Sequence, residues 1–589
     1  MTILISLPAS VCIFHGNGLQ PSKRSAAAAQ HQRSSFSVMC SHATTISRRS
    51  GNYEPPTWDY TYLQSINTNN YTDDEGYTTR HDELKKKVQN MLNNEEMEEL
   101  EKMEVIDELQ RLGLAYHFED EITEALMRSK GCSQKGRDNL YSTALKFRLF
   151  RQNGSCPSQD AFDGFLEGSG GNFKADICED TKGLLSLYEA SFLSMEGEAT
   201  LDLARDFSTK HLKQAAAGFR TADPNLLAAV QRALEMPLHW RVPRLEASSN
   251  IHLYQAKPNH NPLFLEFAKL DFNLFQTLHQ HELKSVSRWW KSSYIVERLN
   301  FVRDRVVENF FWTVGIFNSP RYSNARRVEA KLNCLLCTID DIYDVYGTLD
   351  ELQVFTDVIQ RWSDTTNIAH LPEYMKLSYF AVHNFVNEVA YDVCKEQGIL
   401  VSRYLRKTWI DLCKSHLQEA KWFHSGYTPT YKEYIENAWI SISGALIIVH
   451  AFVCVDNPLD EEALRRLSEY HDIARFPSLV LRLANDKGTS PHEMKRGDTP
   501  KAVECYMNCA GVSMDDAQEN INLQIDEAWK KMNKIGFEDK SFSKRSIEVA
   551  TNVARVAQFM YQYGDGHGIK TSETQTRMQS ILFEPIPLK

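Results

Sequence analysis

Residues Thr338 to Tyr346, TIDDIYDVY, set three aspartates in an apolar run that follows KLNCLLC. On a helix Asp340 and Asp344 stand at i and i+4, so both carboxylates face the same way at a distance that lets them share divalent cations. Ile339, Ile342 and Val345 flank them, which is poor company for a solvated face, and carboxylates buried without a partner are costly. A second polar row lies at Leu481 to Glu493, LRLANDKGTSPHE. Asn485, Thr489 and Glu493 share one helical face if the helix runs on through Gly488. An amide oxygen, a hydroxyl and a carboxylate are hard donors that suit Mg²⁺ or Mn²⁺. Arg482, one turn before Asn485, can hold an anion that the same metal coordinates, and Lys501, beyond Glu493, is a further contact.

The third element is FVRDRVVENFF, Phe301 to Phe311, with Arg303 and Arg305 upstream of the aspartates. The planar guanidinium forms paired hydrogen bonds to oxygen-rich anions and never deprotonates, although Arg-Asp-Arg alone is commonly an exposed charge run. Trp312 falls on the helical face of Arg305 and adds an aromatic surface. Two metal-ligand helices, an Arg pair and 11% aromatic residues describe a substrate with a diphosphate head and a hydrocarbon tail. Metal and Arg neutralise a leaving diphosphate without a protein nucleophile, and aromatic faces stabilise the resulting carbocation. Asn333, two helical turns before Asp340, faces the same cavity. Its amide either holds a water that captures the cation or bonds its own helix backbone and only shapes the wall. Cys334 and Cys337 have no second pair for zinc, and GDGHG is neither GxGxxG nor preceded by a strand.

These residues must be carried by helices. The chain has 589 residues with only 27 Gly and 19 Pro, which favours long helices, large cores and more than one domain. Val382, Phe385, Val386, Val389 and Val393 form one stripe at the 3.6 period, and no period-two alternation or fixed repeat is visible. An all-α fold is expected. QAKPNHNP, Gln255 to Pro262, is the best linker. The apolar stretch from Trp439 to Val455 is short of the roughly 20 residues of a membrane span and reads as one buried core helix. A net charge of −11 argues against nucleic-acid binding. Twelve Cys without a paired framework suggest a reducing compartment. From Met1 to Tyr53 there is no acid, Ser is frequent, and Lys23, Arg24 and Arg33 are basic, the composition of an organelle transit peptide.

With these features the sequence closely resembles the plant terpene synthases, specifically the angiosperm monoterpene synthases, from Arg48 nearly to the C-terminus. The marks are Arg48-Arg49 followed by eight residues and Trp58, LQRLGLAYHFEDEI, LEMPLHWRVPRLEA, the RDR at Arg303 to Arg305, DDIYD, NDxxTxxxE and YQYGDGHG. The resemblance implies a class I terpenoid synthase fold with two helical domains. These are an N-terminal α-barrel over residues 48–262 and a C-terminal catalytic metal-binding domain over 263–589, after a plastid transit peptide at 1–47. It also implies Mg²⁺-dependent ionisation of geranyl diphosphate in the chloroplast stroma, then isomerisation and cyclisation to a monoterpene olefin, or to an alcohol or ether of terpineol or cineole type. The protein would be a monomer or weak homodimer without a membrane span. Three ions, Mg²⁺ or Mn²⁺, would be held by Asp340, Asp341 and Asp344 and by Asn485, Thr489 and Glu493. Arg303, Arg482 and Lys501 match diphosphate-binding positions, supported by Arg305. Trp312, Asn333, Tyr561 and His567 match pocket positions, and Arg48-Arg49 is associated with site closure for isomerisation to linalyl diphosphate.

Lys487, Ser248-Ser249-Asn250 and Ser319 depart from the family's usual residues and bear on metal competition, stability and loop docking. The rivals are an acyclic monoterpene or sesquiterpene synthase and, outside enzymes, a degenerate helical diphosphate binder, whose signature would be a lost metal ligand. Residues 1–47 fused to a fluorescent reporter are expected to carry it to plastids under the microscope. A cytosolic or secreted reporter would defeat the assignment.

Overall fold

The Val382 stripe is buried as its spacing demands: the helix Glu373–Gln397 turns Met375, Tyr379, Val382, Phe385, Val386, Val389 and Val393 inward. The same rule builds the rest. This computed structural model describes residues 48–67, 75–129, 139–168, 171–218, 223–362, 368–496, 499–567 and 572–588; the leader assigned to Met1–Ser47 lies outside them. Among the described residues helices carry the fold and no strand forms beyond an isolated bridge between Leu166 and Phe173. Arg48–Lys589 is one unit whose main apolar core runs from Trp58 to Ile586.

The segment QAKPNHNP joins the helices Pro243–Gln255 and Pro262–Ser292. Asn261 caps the second, its side chain accepting from the Leu263 amide at 3.0 Å, and Pro262 takes the first helical position, where a missing N–H costs nothing. This long helix clamps the C-terminus with amide side chains: Asn273 exchanges two 2.8 Å hydrogen bonds with the Ile586 backbone, and Gln280 donates to the Leu582 carbonyl at 2.9 Å. It also fixes the helix Ser323–Asp341, the aspartate helix. The Arg326 guanidinium meets both Glu282 oxygens at 2.7 and 2.8 Å and donates to the carbonyls of Phe317 and Ser319. Although burial opposes it, Arg326 holds the Glu282 carboxyl down at about 2. The Ser319 departure thus serves through its carbonyl. Asn250 likewise bridges, donating to the Arg111 carbonyl at 2.8 Å and accepting from Arg232 at 3.0 Å.

The apolar stretch at Trp439–Val455 is buried but is not one helix. Tyr431–Ser441 and Gly444–Val455 meet at a break where Ser443 takes a φ of 67°. The combined run of 25 residues has the length and hydropathy of a span, yet 78% of its most apolar 18-residue window is buried inside the fold. Close packing accounts for the glycine after the break: a Cβ on Gly444 would stand 2.5 Å from Ser478 Oγ, on the helix Asp472–Arg496, hereafter the asparagine helix.

One core side chain violates the pattern. Glu329 on the aspartate helix is fully buried and neither carboxyl oxygen has a hydrogen-bond partner among the described residues. Burial pushes its carboxyl well above the usual range, so folding retains a proton that the unfolded chain releases near its ordinary pKa. The stability lent by that proton is present at low pH and fades as pH rises. Glu329→Gln and Glu329→Leu are therefore expected to raise stability by about 1–3 kcal/mol, with a larger gain near about pH 8 than about pH 5. Thermal melts at the two pH values test this, and a gain that is flat with pH contradicts an unpaired buried acid.

Candidate metal and anion site

The aspartate helix ends at Asp341 and gives way to a single π-helical turn, Ile342–Tyr346. The expected regular i, i+4 helix face is therefore widened, yet Asp340 and Asp344 still converge: their ligand oxygens and one nitrogen of His416 lie within 4.8 Å of one another. Arg303 closes on Asp340 as an ion pair, and against burial its charge draws the carboxyl below the ordinary value. The Asp344 carboxyl is pushed up to about 6, by burial first and then by the Asp340 charge. Like-charged acids beside an unpartnered imidazole suit a divalent cation.

Asp341 departs from the expectation that it joins this ligand set. It is fully buried and turned to other partners: Tyr53 Oη donates at 2.6 Å, the Arg303 amide at 2.9 Å, and Arg303 Nε lies 3.0 Å away. Burial lifts its carboxyl to about 6. Successive residues on a helix face about 100° apart, so Asp341 cannot share the Asp340 face. Its place is to fix Arg303 and the N-terminal strap.

The helix does continue through Gly488, where a Cβ would come within 3.0 Å of the Tyr561 carbonyl. Asn485 and Thr489 share a face, and Arg482 Nη1 reaches Asn485 Oδ1 at 3.3 Å. Glu493 lies in the same helix, though its side chain is outside those described. Lys487 points away, donating to Asn522 at 2.8 Å, so it does not compete for metal. Arg482 is buried in a cage: Nε donates to the Ala438 carbonyl and Nη2 to Ser441 Oγ, both at the helix break, while Nη1 meets Asp486 at 3.0 Å. Asp486 also accepts from Tyr434 Oη at 2.7 Å and the Ala502 amide at 3.1 Å. Lys501 Nζ sits 3.2 Å from Glu419. Although burial works against it, Lys501 and Arg482 hold the Glu419 carboxyl at about 2.

Arg305 does not join the cation group. It starts the helix Val306–Ile316 and donates to the Glu54 carbonyl at 3.0 Å, holding the strap. Arg48 donates to both Glu351 oxygens at 2.8 Å and to the Tyr346 carbonyl at 3.0 Å, with its guanidinium 4.5 Å above the Tyr346 ring. Arg49 donates to the Asp344 carbonyl at 3.1 Å and lies 4.4 Å over Phe423. In the pocket Trp312 and Tyr561 rings are 6.3 Å apart, and Cys337 Sγ contacts His567 Nε2 at 3.3 Å. Burial, then Arg303, keeps His567 down at about 4 and hence neutral near pH 7. Asn333 follows neither expected course with its amide N–H, which donates at 3.2 Å to the Asn309 carbonyl of the neighbouring helix.

Tyr53, His416, Glu419 and Asp486 escaped the sequence reading. Tyr53 sits inside the Arg-Arg to Trp segment and Asp486 adjoins Asn485, so both had local signals. His416 and Glu419 come from the helix Ser402–Ser425, and no spacing ties them to the aspartates.

A family model for the terpene synthase metal binding domain matches residues 291–531, and one for the terpene synthase N-terminal domain matches 57–234. The chain is 51% identical over 549 residues to a chloroplastic limonene synthase of Coffea arabica, covering 92% of this chain and 90% of that one. A solved limonene synthase with 2-fluorolinalyl diphosphate superposes with a TM-score of 0.89 at 43% identity, over 92% of this chain and 100% of that one. The isoprene synthase of grey poplar, Populus x canescens, with three Mg²⁺ ions and dimethylallyl-S-thiolodiphosphate, gives 0.82 at 43%, over 90% and 99%.

The burial pattern separates two kinds of acid. Asp486→Ala leaves Arg482 without its buried partner and is expected to cost about 3–5 kcal/mol of folding stability. Asp340→Ala or Asp344→Ala is expected to preserve the fold. Denaturant unfolding of the variants checks the contrast; an Asp486→Ala protein as stable as wild type would remove the cage from the account.

Proposed function

The chain belongs to the terpene synthase family, and from that premise we propose that it is a monoterpene synthase, a lyase that ionises geranyl diphosphate and cyclises the cation. The observation that carries this reading is the juxtaposition of Asp340 and Asp344 with a caged set of cations, Arg303, Arg482 and Lys501, beside an aromatic pocket. Asp340, Asp344, Asn485, Thr489 and Glu493 are proposed to hold divalent ions, Mg²⁺ or Mn²⁺ and three in number, as in the poplar enzyme. Such ions, when bound, neutralise the diphosphate and so assist breaking of its bond to the allylic carbon.

The protein's own residues do the rest. Arg303 is paired with Asp340 before substrate arrives. With Asp340 engaged as a metal ligand, the Arg303 guanidinium would be free to bind the diphosphate, and Arg482 at the asparagine helix would be the second anchor. The charge left on the hydrocarbon would face Trp312 and Tyr561, whose rings carry negative quadrupole density. Burial keeps the Tyr561 hydroxyl protonated, so no phenolate traps the cation. A neutral His567 is the base proposed to take the final proton, leaving an olefin. The Asn333 amide, with one N–H given to the Asn309 carbonyl, can still hold a water, and the oxygen of that water, its proton passing to a base, is the proposed source of any alcohol or ether. Arg48 and Arg49 are proposed to close the site for isomerisation. Residues 1–47 are read as a plastid transit peptide directing the protein to the stroma, a reading that the chloroplastic coffee relative supports, with domains at 48–262 and 263–589.

Gas chromatography of products from geranyl and farnesyl diphosphates with Mg²⁺ tests the reading. Cyclic monoterpenes from geranyl diphosphate, absent with Asp340→Ala, are expected. Sesquiterpenes alone would move the substrate to fifteen carbons, and no turnover of either would favour the degenerate binder. Asn333→Ile is expected to lower the oxygenated fraction several-fold while diphosphate release changes much less; an unchanged fraction removes the amide from product control.

A further inference from the structure

His416 reaches into the space between the two aspartates: one ring nitrogen and a carboxylate oxygen from each of Asp340 and Asp344 lie within 4.8 Å of one another. The side chain is 4% exposed. Its Nδ1 is buried without a hydrogen-bond partner among the described residues. The ring is held in place by stacking on Tyr343, with centroids 5.4 Å apart at an interplanar angle of 24°.

A histidine placed only for packing usually ties a nitrogen to a nearby acceptor. His450 does so, with Nδ1 at 2.9 Å from the Leu446 carbonyl. The cluster of His81, His117 and Asp271 is likewise self-satisfied, since both imidazoles and Tyr116 Oη converge on Asp271 Oδ1 at 3.1, 2.8 and 2.6 Å. His416 has no such tether, and what faces it is a pair of acids. We propose that His416 is a nitrogen ligand to the divalent cation held by Asp340 and Asp344, and that it turns this site toward transition-series ions, Mn²⁺ and Co²⁺, over Mg²⁺. The proposal rests on the reading of that aspartate pair as metal ligands. Mg²⁺ prefers an all-oxygen, largely hydrated shell, whereas an imidazole adds affinity along the transition series.

The test uses the full chain loaded with Mn²⁺ and inorganic diphosphate. Electron spin-echo modulation reports nitrogen bound to Mn²⁺, and loss of the free-ion signal reports affinity. Wild type and His567→Phe should both show the ¹⁴N coupling. His416→Phe, which keeps a ring for Tyr343, and His416→Gln should both lack it, with circular dichroism showing a native fold. Labelling wild type with ¹⁵N-histidine should replace the ¹⁴N pattern by that of ¹⁵N, a result that needs no variant. In His416→Phe the ratio of Mn²⁺ to Mg²⁺ affinity should fall at least about tenfold, the loss that removing even an outer partner of a metal site produces. Bound Mn²⁺ with no nitrogen coupling in wild type, or coupling that survives in both His416 variants, overturns the proposal and leaves the aspartate site standing. Mn²⁺ binding that Asp340→Asn leaves unchanged overturns both.

Discussion

Arg303 is the residue on which the site depends. Its guanidinium spans Asp340 and Asp341, and its own amide adds a hydrogen bond to Asp341. Two adjacent carboxylates at the end of an apolar helix would otherwise repel each other in a poorly solvated place, and the helix end would have to open toward water. One cation removes that cost for both, and it is arginine because only a planar fork can address two acids at once. The pairing also stores the machinery in a usable form. Under the proposed function the Asp340 contact would be the exchangeable one, since a divalent ion would compete for the carboxylate, while the Asp341 contacts would keep Arg303 nearby.

The second anchor uses a different device. Arg482 is buried, and its guanidinium is satisfied by Asp486 one turn on in the same helix together with the Ala438 carbonyl and the Ser441 hydroxyl from the end of the neighbouring helix. Asp486 balances its charge, and Glu419 does the same for Lys501. In the proposed reaction such preorganised cations, each paired with an acid, would stabilise developing negative charge without waiting for side chains to reorient.

The helices were legible because the apolar period is local: the stripe on Glu373–Gln397 needs only its own residues to be read. Asn485 and Thr489 were legible for the same reason, since one helix carries them. What failed was whatever depended on a neighbour. Asp341 looks identical to Asp340 in sequence, and only the positions of Tyr53 and Arg303 turn it away. The π turn after Asp341 has no periodic signal, nor has the helix break before Gly444, where Ser478 of another helix comes close. Asn333 faced two foreseen fates, its own helix or a water, yet found a carbonyl on a third element. His416 and Glu419 lie a long way along the chain from the aspartates, and only tertiary packing makes them neighbours.

The strap shows how closure is coupled to the acid cluster. Three of its contacts are with backbone: Arg48 to the Tyr346 carbonyl, Arg49 to the Asp344 carbonyl, and Arg305 to the Glu54 carbonyl. Carbonyls at the π turn are available because that turn interrupts the regular ladder in which each would accept from within the helix. The strap therefore seats only on a chain that has already made the turn presenting Asp344, and Tyr53 adds the same condition for Asp341. Arg48 is taken up by the Glu351 carboxylate, the Tyr346 carbonyl and the Tyr346 ring, and Arg49 meets the Asp344 carbonyl and the Phe423 ring. Under the proposed function their effect on isomerisation would come from enclosure: a strap held at both ends of the aspartate turn would exclude water from an allylic cation while its diphosphate is still close enough to return.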